Sequence, residues 1–192
     1  MVNREHAYLN GEVRAVQQRQ HDATWWAYQG DDDTMANDRQ QQDSKARFRV
    51  AAFAIIEQEG RYLLARRRDI GWWNLAGGGL ENGETVDEGM LREVMEEVCL
   101  TVTIERVVGI YSKPRKNEVV VTFLCHPAPD AGRPGTSDEV SEVGWFSPDR
   151  LPDDFLPKHR QRLQDALLGQ REAIVRAQRT STEEDQGLPA SK

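Results

Sequence analysis

Three glutamates, Glu93, Glu96 and Glu97, fall at i, i+3 and i+4 in the stretch Arg92-Glu93-Val94-Met95-Glu96-Glu97. On a helix these spacings bring all three carboxylates to one face. Like charges so placed cost about 0.2–0.5 kcal/mol per pair, and only Arg92 stands close in sequence to offset them. Just upstream runs Gly77-Gly78-Gly79, which lacks Cβ atoms and so lets a phosphate approach the backbone. Carboxylate oxygens beside such a loop suit a hard divalent cation, magnesium or in its place manganese, which keeps several waters and bridges to phosphate. The chemistry on offer is metal-assisted hydrolysis at phosphorus. Three glutamates on a helix also describe an ordinary solvated face, so the surrounding elements have to decide.

Those elements are legible in order. Phe48 to Ile56 is an apolar, β-branched run ended by Gly60 and answered by Arg61 to Ala65, which reads as a hairpin. A helix over Val86 to Val98 starts with a capping box, Thr85 as N-cap and Glu88 three residues on. Leu91, Val94, Met95 and Val98 give it a core-facing stripe. Gly89, in mid-helix, costs about 1 kcal/mol against alanine with no visible return. Val102 to Tyr111 and Glu118 to Cys125 form a second strand pair around the turn at Lys113 to Asn117. A last helix is expected from Lys158 through Leu168, continuing past Gly169 to about Arg179.

Composition divides the chain into a polar, Gln-rich extension (1–45), a folded core (46–169), and a helix end with a loose tail (170–192). Within the extension, Leu9, Val13 and Val16 share a helical face, and Trp25, Trp26 and Tyr28 form an aromatic knot. Packing on the chain's own domain, a homodimer contact and a lid over the site are all compatible with that pattern. The net charge of −7 argues against nucleic acid as a partner. It also means that a phosphate substrate needs metal ions or local arginines to offset repulsion. Cys99 and Cys125 lie in apolar runs outside any CxxC pair and read as two buried, reduced thiols. Neither a leader nor a stretch of about 18 uncharged apolar residues is present, so no membrane partner and a cytoplasmic location are expected.

The spacing from Gly78 through Glu84, Arg92-Glu93, Val94 and Glu96-Glu97 to Leu100 resembles the Nudix box, GX5EX7REUXEEXGU, with every charged position in agreement. The resemblance implies an α+β Nudix fold, an α/β/α sandwich with a mixed sheet. It implies a magnesium-dependent hydrolase acting on the diphosphate linkage of a nucleotide-like small molecule. In the box, Glu96 and Glu97 would bind the metal with help from a backbone carbonyl at Gly77 or Gly78. Glu93 would complete the metal shell or act as general base, Arg92 would fix a glutamate rotamer, and Glu84 would support the loop. Two positions depart from the pattern: Cys99 replaces the final glycine, so the helix end is expected to turn differently, and Ala76 stands where proline is common.

Outside the box, the resemblance points to Glu139 in Ser137-Asp138-Glu139-Val140-Ser141-Glu142 as a further ligand or base on a mobile loop, with Glu142 as the competitor. Arg66 in the run Arg66-Arg67-Arg68, Trp73 and Gly78 are the candidate substrate contacts, by phosphate clamping, base stacking and close backbone approach. His159 reads as a surface residue. The substrate leans to ADP-ribose, on Pro114 lying close to the proline spacing of ADP-ribose cleavers and on the absence of NADH and coenzyme A signatures. A nucleoside triphosphate is the enzymatic alternative, and a Nudix-fold sensor that binds without cleaving is the other.

Overall fold

The computed structural model describes residues 47–179, so the expectations for 1–45 and for the tail beyond 179 lie outside the described residues. The strands are β1 (Arg49–Gln58), β2 (Arg61–Arg67), β3 (Trp73–Asn74), β4 (Gly77–Gly79), β5 (Val102–Lys113), β6 (Glu118–Pro127), β7 (Val140–Phe146) and β8 (Ile174–Ala177). The helices are α1 (Val86–Val98) and α2 (Pro157–Leu167). The sheet runs β3-β2-β1-β6-β5-β8, with β4 on β1 and β7 on β2. β1–β6 and β5–β8 are parallel and the other pairs antiparallel, so the sheet is mixed as expected.

β1 is the central strand because it is apolar on both sides. Ala52, Ala54 and Ile56 face a cluster containing Met90, Val94 and Val98 of α1. Ala51, Phe53 and Ile55 face one containing Leu163 and Ala166 of α2. Strand alternation therefore makes the α/β/α layering directly. Burying Met90, Val94 and Val98 stabilises α1 by about 1.5–3 kcal/mol per side chain, far more than the carboxylate crowding on its other face costs. β2 meets β1 only at the hairpin end, Gln58 against Arg61, while β4 pairs with the other half, Phe53 against Gly77. The glycine run is thereby laid flat beside the central strand, next to α1.

Four expectations need correction. Leu91 and Met95 are exposed, and Met90 takes their place in the stripe. Cys99 is exposed, whereas Cys125 is buried. The helix end at Cys99 does not turn differently, because Cys99 adopts the left-handed conformation of the missing glycine (φ 54, ψ 34) and its N–H donates to the Met95 carbonyl. Finally, α2 stops at Leu167, with Gly169 left-handed behind it (φ 66), and the β-branched Ile174–Ala177 segment adds a strand parallel to β5. The left-handed Cys99 yields a stability prediction. Cys99→Gly is expected to raise unfolding free energy by roughly 0.5–1 kcal/mol, relieving the Cβ strain less the entropy of glycine, read as a higher urea midpoint at unchanged slope.

Candidate active site

α1, the β4 loop and the segment before β7 close around one cavity of about 760 Å³. Gly77 is required by close approach: a Cβ there would lie 2.2 Å from the Ala52 carbonyl oxygen, at a φ of 131. At Gly78 a Cβ would lie 2.7 Å from the Glu93 carboxyl carbon, so glycine leaves that carboxylate its place. Gly89 has a reason of the same kind, since a Cβ would come 2.9 Å from Glu84 Oε2. The capping box forms in both directions, Thr85 Oγ1 accepting from Glu88 N–H and Glu88 from Thr85 N–H.

Arg92 organises the carboxylates. Its Nε and Nη2 donate to the two oxygens of Glu84 at 2.6 and 3.0 Å, and its Nη1 donates to Glu93 at 3.1 Å and Glu96 at 2.9 Å. Nη2 also reaches the Gly79 carbonyl at 3.1 Å, tying helix to loop. This fork holds Glu84 down at about 2. Glu97 has no such partner; it accepts from Gly77 N–H at 2.8 Å, and burial, with the charges of Glu93 and Glu139 adding, pushes it up to about 7. Burial also raises Glu93, against the pull of Arg92.

Glu139 borders the same cavity, held by a device the sequence did not reveal. Arg68 donates from Nε to the Asp138 carbonyl (3.0 Å) and from Nη2 to those of Ser137 (3.2 Å) and Val140 (3.3 Å). Its own N–H donates to the Glu139 carbonyl at 2.8 Å. Four successive carbonyls are thus bound by one residue, so the segment expected to be mobile is pinned. Ser137 Oγ accepts from the Glu139 and Val140 N–H groups.

The lining carries seven carboxylates, Asp69, Glu81, Glu93, Glu96, Glu97, Asp138 and Glu139, against three arginines. Arg67 is paired with Asp69, Arg68 with carbonyls and Arg92 with glutamates. Among the described residues no three metal-ligating side chains already meet around one point. The donor set nevertheless fits magnesium, which takes one or two carboxylates and completes its octahedron with water and substrate oxygens. Burial raises Glu93 and Glu97, with neighbouring carboxylates adding, and a bound cation would favour their charged forms.

The family model for the NUDIX domain matches residues 45–166. The chain belongs to the Nudix family. It is 36% identical over 118 residues to a "MutT-like protein" of Streptomyces ambofaciens, covering 62% of this chain and 75% of that one. It is 30% identical over 142 residues to a Bacillus subtilis protein named "Putative 8-oxo-dGTP diphosphatase", covering 73% and 90%. Among solved structures, an ADP-ribose pyrophosphatase from Streptococcus suis superposes with a TM-score of 0.58 at 30% identity, over 68% of this chain and 98% of that one. The chain is therefore a Nudix hydrolase, of a family that generally uses a divalent metal such as magnesium and acts on nucleotide-like substrates.

Of the residues singled out in the sequence, the Nudix cavity brings together Gly78, Arg92, Glu93, Glu96, Glu97 and Glu139. It excludes Arg66 and Trp73. The Arg66 guanidinium is spent on the Gly71 carbonyl, Glu142 and Asp154, and Trp73 is buried edge-on against Phe146. Their neighbours take the expected places, since Arg67, Arg68 and Asn74 line the cavity. The β2–β7 register shifts there, Arg66 opposing Glu142 and Arg67 opposing Val140, with Ser141 bulged out of β7. His159, expected at the surface, is buried and borders the cavity, its Nδ1 accepting from Leu75 N–H at 3.2 Å. Burial, with nearby Arg162, Lys113 and Lys158, holds it well below the ordinary histidine value. Among the described residues no helix is long and apolar enough to cross a membrane.

Proposed function

We propose that this Nudix hydrolase cleaves the diphosphate linkage of a nucleoside diphosphate joined to a second group, with ADP-ribose as the leading candidate and Mg²⁺, or Mn²⁺, as cofactor. The observation that carries the reading is the lining, in which carboxylates outnumber arginines and each arginine is already engaged. A polyanion enters such a cavity only with cations, and the less charged diphosphate diester is repelled less than a triphosphate. Glu96, Glu97 and Glu93 would hold the metal, with Gly78 backbone beside them. The bound metal would neutralise phosphate charge and orient water. Glu139, whose carboxylate has no hydrogen-bond partner among the described residues, would take the proton from the attacking water. Arg92 would keep Glu93 and Glu96 in place.

A nucleoside triphosphate is the rival, on the printed name of the Bacillus relative. Incubation with magnesium and ADP-ribose should give AMP and ribose 5-phosphate, whereas a triphosphate cleaver gives a nucleoside monophosphate and pyrophosphate. Faster turnover of triphosphates in that screen would replace the first reading by the second, and binding without product from either would favour a sensor.

Residues 1–45 are proposed to modulate this enzyme without being needed to fold it, because the continuous apolar runs begin only at Phe48. A chain beginning at Lys45 is expected to melt in one cooperative transition by calorimetry. Failure to fold would place the Trp25-Trp26 knot in the core.

A further inference from the structure

Of the nine large apolar side chains left exposed among the described residues, only Leu167 and Leu168 lie outside one face of the molecule. That face is the α1 side of β6, β5 and β8. Ala52, Ala54 and Ile56 turn this side of β1 toward α1, and the β1–β6 register carries it across to Val119 and Val121. From β6 the pairing passes to Ile104 and Ile110 on β5, and from Ile110 to Val175 on β8. Strand alternation leaves every paired position on this side of the three strands uncharged. A sheet with one face in water alternates apolar and polar residues, and here the outer side is apolar as well.

The helix adds to the same face. Glu93 and Glu97 lean toward Gly78 and Gly77 of β4, which holds one edge of β1 while β6 holds the other. Leu91 and Met95, one turn apart and both exposed, stand on the opposite flank of α1, toward β6. Phe48 and Val50, in step with Ala52, extend the face along β1. At its far edge β8 is attached by close approach, since a Cβ at Gly109 would lie 2.7 Å from the Ile174 carbonyl oxygen. The strand secured in this way presents Val175 with 77% of its surface open.

We infer that a second copy of this chain covers the face, in a two-fold pair packed sheet against sheet. The open parts of the seven side chains amount to on the order of 500 Å² of apolar surface, the size at which a patch marks an interaction site. The half-buried Val107, Val119 and Val121 bring it toward the roughly 800 Å² per partner that a stable pair buries. A two-fold contact sets the same patch against itself, so an uncharged face meets an uncharged face and no charge is buried without a partner. Two such sheets interdigitate at about 10 Å. A lipid surface calls for a basic rim, whereas Asp87 and Glu88 stand one turn from Leu91 and the chain carries a net charge of −7.

The test is the mass of the full-length chain in solution, by sedimentation velocity across micromolar concentrations. The wild type is expected to sediment as a dimer. Val175→Lys on β8 and Met95→Lys on α1 each put a charge on the face from a different element, and each is expected to raise the dissociation constant at least about tenfold. Both side chains are exposed, so the monomers should keep the wild-type circular dichroism. Leu168→Lys, at the end of α2, is the control for general stickiness and should leave the dimer intact. A wild type that stays monomeric throughout would overturn the pair; a melting temperature lowered by Val175→Lys in that monomer would then hand the face to residues 1–45 of the same chain. A dimer that survives both Val175→Lys and Met95→Lys, or one that Leu168→Lys alone dissociates, would overturn it equally. So would binding of the wild type to neutral phosphatidylcholine vesicles that Val175→Lys abolishes, since the face would then be a lipid surface.

Discussion

Glu97→Gln is expected to lower kcat by on the order of 10³-fold while raising the melting temperature of the metal-free protein. The activity loss follows from charge: the amide keeps the volume but removes an anionic metal ligand, and several kcal/mol of transition-state stabilisation is several decades of rate. The stability gain follows from burial. Glu97 is pushed from 4.5 to about 7 in the folded state, so ionising it costs folding free energy. That cost is absent below about pH 4.5, grows as pH rises to about 7 and is constant above. Glutamine sheds it, and its Oε1 can still accept from Gly77 N–H. The gain at pH 8 is on the order of 1–3 kcal/mol. Millimolar magnesium should narrow or reverse the difference, because the wild type gains binding free energy that the variant has lost. Thermal melts at pH 8 in chelator and in magnesium, beside steady-state rates, check both parts. Near-normal turnover would sink the assignment of Glu97 as a ligand, and no rise in the melting temperature in chelator would sink the upward shift that burial gives its carboxyl.

How far the sequence reaches depends on the range of the interaction that fixes each residue. Local rules gave the capping box at Thr85 and Glu88, the bounds of α1 and the shared face of Glu93, Glu96 and Glu97. β1 was legible because its partners on both faces demand an unbroken apolar run. Contacts distant in sequence were not legible. His159 is buried through a bond to Leu75, 84 positions away, and nothing in the neighbourhood of Lys158 announces it. In the run Arg66-Arg67-Arg68 nothing local says which guanidinium meets the site; Arg66 turns to Glu142 and Asp154, whereas Arg67 and Arg68 line the cavity. The reason for Gly89 lies in the approach of Glu84, which no local pattern shows. Cys99 is the opposite case: a local penalty of about 1 kcal/mol does not redirect the chain, which keeps the left-handed turn with the Cys99 N–H on the Met95 carbonyl.

Glu139→Gln is expected to lower kcat about 100-fold with KM changed by no more than about threefold, the loss of a group that accepts a proton only as the bond to phosphorus forms. Glu142→Gln, three positions on, should change either constant by less than about threefold. Its carboxylate lies 3.4 Å from Arg66 on a half-exposed surface, and such pairs contribute about 0–1 kcal/mol. Arg68 provides the sharper comparison. If it serves to hold Glu139 by binding the four carbonyls around it, Arg68→Ala should reproduce part of the kcat loss. The double variant should then be no slower than Glu139→Gln alone, since two residues acting through one carboxylate are not additive. Arg68→Lys should not restore the rate, because a single ammonium cannot reproduce a planar fork directed at three carbonyls. Additive losses in the double variant would mean that Arg68 touches the substrate itself. A sensitive Glu142 beside an insensitive Glu139 would mean that the catalytic carboxylate sits three residues further along than proposed.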